Sequence, residues 1–303
     1  MGHNHNHSHE VPKGNKLLWV TLLNFIITVV QIIGGIMANS LSLLSDALHN
    51  MGDTSALFIA FFAGKKGAKG ADKSKTFGYK RIEILAALFN AITLIAISIY
   101  LFYEAYKRFL DPEPIKGKLM IIVATVGLLG NLFSVLLLHK EKDSNLNTKA
   151  AYLHLMGDTL SSVAVILGGV AIWLFDVFWI DPLITILVGI FIIYHTWSVV
   201  DETVSILMQA APANLDLEEL EKTVLAFDSV QDMHHLHLWQ MDDAHVHLEA
   251  HINLKENMDI KAMMQIRIAI IHKLMHDFDI SHITLQMAVG CCSKNTGLVA
   301  EGD

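Results

Sequence analysis

Two histidine–aspartate pairs carry the chemistry of this chain. Leu48-His49-Asn50-Met51-Gly52-Asp53-Thr54 recurs, with one change, as Leu153-His154-Leu155-Met156-Gly157-Asp158-Thr159. On an α-helix, residues four apart share a face, so each copy presents an imidazole beside a carboxylate. Two such pairs brought together offer two nitrogens and two oxygens, a donor set suited to tetrahedral Zn²⁺. A zinc ligand must be unprotonated, so this donor set exchanges metal for protons. The ordinary histidine pKa of about 6.5 puts that competition within the working pH range. A site of this kind, opened alternately to two sides, couples outward metal movement to inward proton movement. Neither HExxH nor GxxxxGK[ST] occurs, and Gly64-Lys65-Lys66-Gly67 lacks the phosphate-loop spacing, so hydrolase and nucleotide-driven pump readings lose their support.

The elements that must position these pairs are membrane-spanning helices. Hydrophobic residues make up 53% of the 303 and the mean hydropathy is +0.44, too apolar for an ordinary soluble chain. Six stretches approach the roughly 20 residues that cross a bilayer: 17–37, 41–63, 84–106, 117–138, 150–175 and 182–205. The second and fifth are the least apolar, and they hold the repeat. An aspartate at the centre of a spanning helix costs about 2.5–3.5 kcal/mol on insertion scales, so Asp53 and Asp158 require a compensating role. Asp46, a turn before His49, reads as a path-lining or orienting residue, with Ser42, Ser45 and Asn50 adding polarity. Asn24, Gln31, Asn90 and Asn131 read as helix–helix hydrogen-bonding residues. Lysine and arginine crowd the 2–3 and 4–5 connections and are missing from the 1–2 and 5–6 turns. The 3–4 loop, with Lys107, Arg108, Lys116 and Lys118, departs from this pattern. On balance both termini are expected in the cytoplasm.

Residues 1–16 form a polar leader in which His3, His5, His7 and His9 alternate with small residues, the pattern of a disordered segment able to capture metal loosely. The six-helix region runs over 17–211. Pro212 opens a second domain, 212–290, with the predicted order αββαβ: helix 216–227, strands 230–240 and 245–254, helix 259–277 and strand 282–288. This is a small α+β module of ferredoxin-like type. Its second strand places His245, His247, Glu249 and His251 on one face. In the first strand, alternation puts His235 and His237 on one face and His234 on the other. His272 and His276 read as surface residues. Up to Ala211 there are 16 Lys+Arg against 15 Asp+Glu, and beyond it 6 against 15. An acidic, histidine-rich tail leans towards cations and away from nucleic acid. Cys291 and Cys292 are adjacent and without other cysteines, so no disulfide framework exists; they offer soft donors for metal. A disordered tail is expected over 291–303.

The paired HxxxD motifs on spans two and five, the six spans and the C-terminal αββαβ module resemble the cation diffusion facilitator family. The context Ser45-Asp46-Ala47-Leu48-His49 and the strand His234-His235-Leu236-His237-Leu238-Trp239 resemble its zinc-transporting branch. The resemblance implies a homodimeric metal/proton antiporter in a lipid bilayer, removing Zn²⁺ from the cytoplasm. It implies that His49, Asp53, His154 and Asp158 form the transport site, and that His234, His251 and His282 are ligands of a dimerising tail where Zn²⁺ also regulates. If the chain is bacterial, the implied location is the cell (inner) membrane. Cd²⁺ and Co²⁺ also suit a His₂Asp₂ donor set. The competing reading is a membrane receptor or sensor that binds Zn²⁺ without moving it. Three features depart from many relatives: the 2–3 loop has no histidine, the 4–5 loop lacks a His-rich insertion and has His139 alone, and Ala288 stands where an acidic ligand is common.

Overall fold

The computed structural model describes residues 14–67, 70–139, 146–242 and 244–290, without the side chains of 14–21, 23, 57, 60–67, 137–139, 146–151 and 153–155. The histidines of the leader, Lys140 and Lys142, Asp243 and the Cys291-Cys292 pair lie outside the described residues, as do the side chains of His139 and His154. The described chain forms two compact units, one from the segments up to 62 and 86–200, the other from 63–85 and from 201 onward.

The six expected helices make up the first unit, apart from the ends of α2, α3 and α6 that fall in the second: α1 Gly14–Ala38, α2 Leu41–Gly67, α3 Arg81–Leu110, α4 Gly117–His139, α5 Leu146–Phe175 and α6 Ile180–Leu207. Within the described residues, α3, α4, α5 and α6 are long and apolar enough to cross a membrane, and Asn24–Ala38 of α1 is a shorter apolar helix. The bundle packs Leu43, Met120, Val123, Ala124, Val165, Ile172 and Val188 inward, while Phe89, Leu160, Leu167 and Tyr194 face outward. An apolar outer surface on helices that satisfy their own backbone is what a hydrocarbon solvent requires.

α2 is fixed at its start by groups from two other helices. Asn39, in the left-handed region at φ 59°, turns the chain between α1 and α2. Arg108 of α3 holds that turn, donating from Nη1 to the Asn39 carbonyl at 2.6 Å and from Nη2 to its Oδ1 at 2.9 Å. Asp181 of α6, fully buried, then accepts from the first backbone amides of α2: Leu41 at 2.7 Å and Ser42 at 3.2 Å. It also accepts from the hydroxyls of Ser40 at 2.7 Å and Ser42 at 2.6 Å. The opening N–H groups of a helix have no partner within it, and here a carboxylate from another helix supplies one.

The second unit contains α7 Leu217–Leu225, β1 Val230–Gln240, β2 Val246–Leu254, α8 Ile260–Asp277 and β3 His282–Val289. Asp216 caps α7 and Asp259 caps α8, each accepting a backbone N–H of the first turn. The sheet has the order β1-β2-β3, antiparallel between the first two and parallel between the last two. Leu236, Leu248, Ile252, Leu220, Ile270 and Leu274 form its core, each buried side chain contributing about 1.5–3 kcal/mol. One expectation fails here. His234 pairs with His251 and His237 with Glu249, so three steps on β1 match two on β2. His235 occupies the bulge with φ 52°. The extra residue restores His234 to the face that carries His251, against simple alternation.

Candidate metal centre

His49 and Asp53 lie one turn apart on α2, and Nε2 of His49 is 3.6 Å from Oδ2 of Asp53. α5 brings Asp158 to the same imidazole, with Oδ1 3.2 Å from Nε2. One ligand atom from each of the three residues lies within 4.8 Å of the others. A tetrahedral zinc site with bonds of about 2.0–2.1 Å separates its ligand atoms by about 3.3 Å. Two of the contacts therefore already sit near coordination spacing. His49 and Asp158 are buried, at 7% and 3% exposure, whereas Asp53 is partly open. His154 lies on α5 four residues before Asp158, but its side chain lies outside those described.

A buried network holds the two helices together next to this cluster. Asp46, 1% exposed, accepts from Ser161 Oγ at 2.6 Å and Ser162 Oγ at 3.3 Å on α5. It also accepts from Gln31 Nε2 at 3.0 Å on α1, and Gln31 in turn accepts from Asn50 at 3.3 Å. The same Ser161 hydroxyl lies 3.0 Å from the Asp158 carbonyl, so its single hydrogen is shared between the two acceptors, Asp46 being the nearer. Asp46 thus orients α2 against α5, the kind of role its position one turn before His49 predicts. Ser161 and Ser162 escape a motif search, although their places three and four residues after Asp158 put them on its face.

The glycines of the repeat have a structural reason. A Cβ on Gly52 would collide with Leu94 of α3, and one on Gly157 would come within 3.0 Å of Phe191 of α6. Asn90 of α3 donates to the Gly52 carbonyl at 3.2 Å, consistent with its expected role between helices. Each aspartate of the repeat therefore follows a glycine that admits a neighbouring helix.

In the second unit His234 and His251 face each other with ring centroids 5.5 Å apart, and His235 stacks on His251 at 4.7 Å. His237 lies 4.8 Å from His235. Asp232 engages Nδ1 of His234 at 2.7 Å, and Nε2 of His234 is buried with no hydrogen-bond partner among the described residues. A carboxylate that fixes one ring nitrogen and leaves the other available is a familiar way to orient a metal-binding histidine. Burial, followed by the neighbouring His235, lowers the pKa of His251, favouring its neutral ligand form. His282 is not part of this group. It pairs across the sheet with His247, ring centroids 5.0 Å apart, while the partner of His251 on β3 is Gln286. His272 and His276 are exposed, as expected.

A helix bundle with an internal imidazole–carboxylate cluster, joined to a small α+β module lined with histidine, defines a membrane protein that handles metal cations. The chain belongs to the cation efflux family. Residues 17–208 match the family's cation efflux transmembrane domain, and residues 212–288 match the cation efflux protein cytoplasmic domain. It is 37% identical over 290 residues to the metal cation efflux system protein CzcD of Cupriavidus metallidurans, covering 95% of this chain and 91% of that one. It is 37% identical over 307 residues to the cadmium, cobalt and zinc/H(+)-K(+) antiporter of Bacillus subtilis, with 99% and 96% covered. It is 34% identical over 301 residues to the zinc transporter ZitB of Escherichia coli, with 96% and 94% covered.

Proposed function

We propose that this protein exports divalent cations, foremost Zn²⁺, from the cytoplasm in exchange for protons, and that His49, Asp53, His154 and Asp158 carry the ion across. The observation that carries this reading is the convergence of His49, Asp53 and Asp158 from two helices within 4.8 Å, inside a bundle of long apolar helices. The names of the relatives, a zinc transporter and a cadmium, cobalt and zinc/H(+)-K(+) antiporter, support both the cargo and the exchange. In this mechanism the cation displaces protons from imidazole and carboxylate on loading. Protons from the other side displace the cation on release. Because the donors are divided between α2 and α5, the site exists only while those helices stay in register.

In the tail, His234 and His251 are proposed as ligands of a regulatory Zn²⁺, supported by the Asp232-anchored ring of His234. His282 would contribute to a separate position beside His247. The working domain limits are 17–211 for the transport domain and 212–290 for the tail, which would hold two copies of the chain together. Both termini would then lie in the cytoplasm, and the cell (inner) membrane is the location proposed by analogy with the bacterial relatives.

The decisive experiment loads purified protein into liposomes and follows Zn²⁺ uptake against an opposing proton gradient. Uptake that rises with the gradient and collapses with a protonophore is the expected result. Stoichiometric zinc binding without gradient-driven flux would instead identify a receptor.

A further inference from the structure

The connection between α2 and α3 builds a second site that the metal centre does not use. Asp72 organises it: Oδ1 accepts from the backbone amides of Ser74 and Lys75, both at 2.8 Å, and Oδ2 accepts from the Tyr79 hydroxyl at 2.7 Å. These bonds, the hydroxyl first, draw the Asp72 carboxyl below its usual range and push the Tyr79 hydroxyl above its own. The loop so pinned sets Lys75, Lys80 and Arg81 around a cavity of ≈ 300 Å³ that is also lined by Trp239 and Gln209 of the same unit.

The lining of this cavity is chemically one-sided. Nε and Nη2 of Arg81 are buried with no hydrogen-bond partner among the described residues. The indole Nε1 of Trp239 is buried and unpartnered in the same way. All three are donors carried by residues that line the cavity, where Gln209 also offers an amide, and no acidic side chain lines it among the described residues. Buried donors left unmatched are unfavourable, those of a charged guanidinium more than most, and two of the three Arg81 nitrogens are in that position. The missing component is therefore an acceptor-only, negatively charged group. The guanidinium fork fits the oxygens of a phosphate, and two further lysines supply more positive charge than a single carboxylate needs. Arg81 is also the first residue of a 30-residue apolar helix. Lys80 and Arg81 thus stand in the chain at the charged end of a spanning helix, the position at which such helices leave hydrocarbon for the headgroup layer.

We propose that this cavity binds a phosphate-bearing anion, with Arg81 and the Trp239 indole donating to its oxygens and Lys75 and Lys80 flanking it. The phosphate can come from the headgroup of an anionic phospholipid or from inorganic phosphate in solution, and one experiment separates the two. Full-length protein in neutral detergent is melted with added phosphatidylglycerol, with phosphatidylcholine, with inorganic phosphate, and with chloride at matched ionic strength.

Phosphatidylglycerol is expected to raise the wild-type midpoint by about 3 °C or more over phosphatidylcholine, as ligand binding to the folded state does. Arg81→Gln is expected to lose the shift, and Lys118→Gln, which changes a lysine outside the cavity, to keep it. A comparable saturable shift with inorganic phosphate over chloride assigns the site to the free anion. No shift with either source, or an undiminished shift in Arg81→Gln, overturns the proposal. If Arg81→Gln fails to fold, the double variant Lys75→Gln/Lys80→Gln decides, and full retention of the shift in that variant overturns the proposal.

Discussion

Asp158 shows how one side chain can be both a burden and a requirement. It is almost wholly buried, its carboxylate faces His49 at 3.2 Å, and its carbonyl is tied to Ser161. Replacing it with alanine removes a buried charge, so the helix should insert at least as readily as before. Asp158→Ala is expected to reduce zinc flux in liposomes to the level of empty vesicles, with the variant recovered from the membrane in wild-type amount. Flux within about twofold of wild type would remove Asp158 from the transport path. The grouping of His49, Asp53 and Asp158 was legible because intramembrane carboxylates are rare and these recur at one spacing. The Ser161–Asp46 contact was not, because it joins residues 115 apart in sequence and hydroxyls are common in helices. The face of His234 was misjudged for a different reason. Alternation assumes an unbroken ladder, and nothing in His234-His235-Leu236 announces the residue that bulges.

At the scale of elements, the six helices and the αββαβ order follow directly from apolar length and from the change of period after Pro212. The observed ends fall within a few residues of the expected ones. What pattern reading could not supply was how α2, the helix richest in polar groups, is held. Asp181 sits at the start of α6 and reads in sequence as an ordinary first-turn acid of that helix. In the fold it serves the neighbouring helix instead, meeting two amides and two hydroxyls. Asp181→Ala leaves these donors unmatched in a fully buried position. A loss of about 1–3 kcal/mol is expected, measurable as a lower unfolding midpoint in detergent, whereas Asp111→Ala, at an exposed position with no positive φ, should change little. Equal midpoints for Asp181→Ala and wild type would show that the cap is dispensable.

For the whole molecule, two measurements address the tail. His247 is buried, and that burial, then the charges of His282, Lys80 and His245, lowers its pKa against a weaker opposing pull from Asp242. A histidine with a depressed folded-state pKa takes up protons more readily when unfolded. Its contribution is therefore intact above the ordinary pKa of about 6.5 and is lost as pH falls through the folded-state value. The unfolding midpoint of wild type is expected to fall more between pH 7.5 and pH 5.5 than that of His247→Phe. Parallel pH curves would show that His247 contributes nothing to this dependence. Truncation after Ala211 is expected to weaken self-association while zinc binding at the helix bundle persists. Sedimentation of both forms, together with a zinc titration, tests this, and an unchanged monomer–dimer equilibrium would move the interface out of the tail.

The fastening of α2 at Leu41 has a mechanical corollary. His49 lies eight residues further along, about 12 Å at 1.5 Å per residue, so the pinned end is a fulcrum and the imidazole rides on a lever. Swinging that lever by about 10° displaces the ring by about 2 Å, ten times the roughly 0.2 Å tolerance of a zinc–ligand bond. A gentle tilt, with no unwinding of the helix, is therefore sufficient to make or break the contact proposed between His49 and the ion.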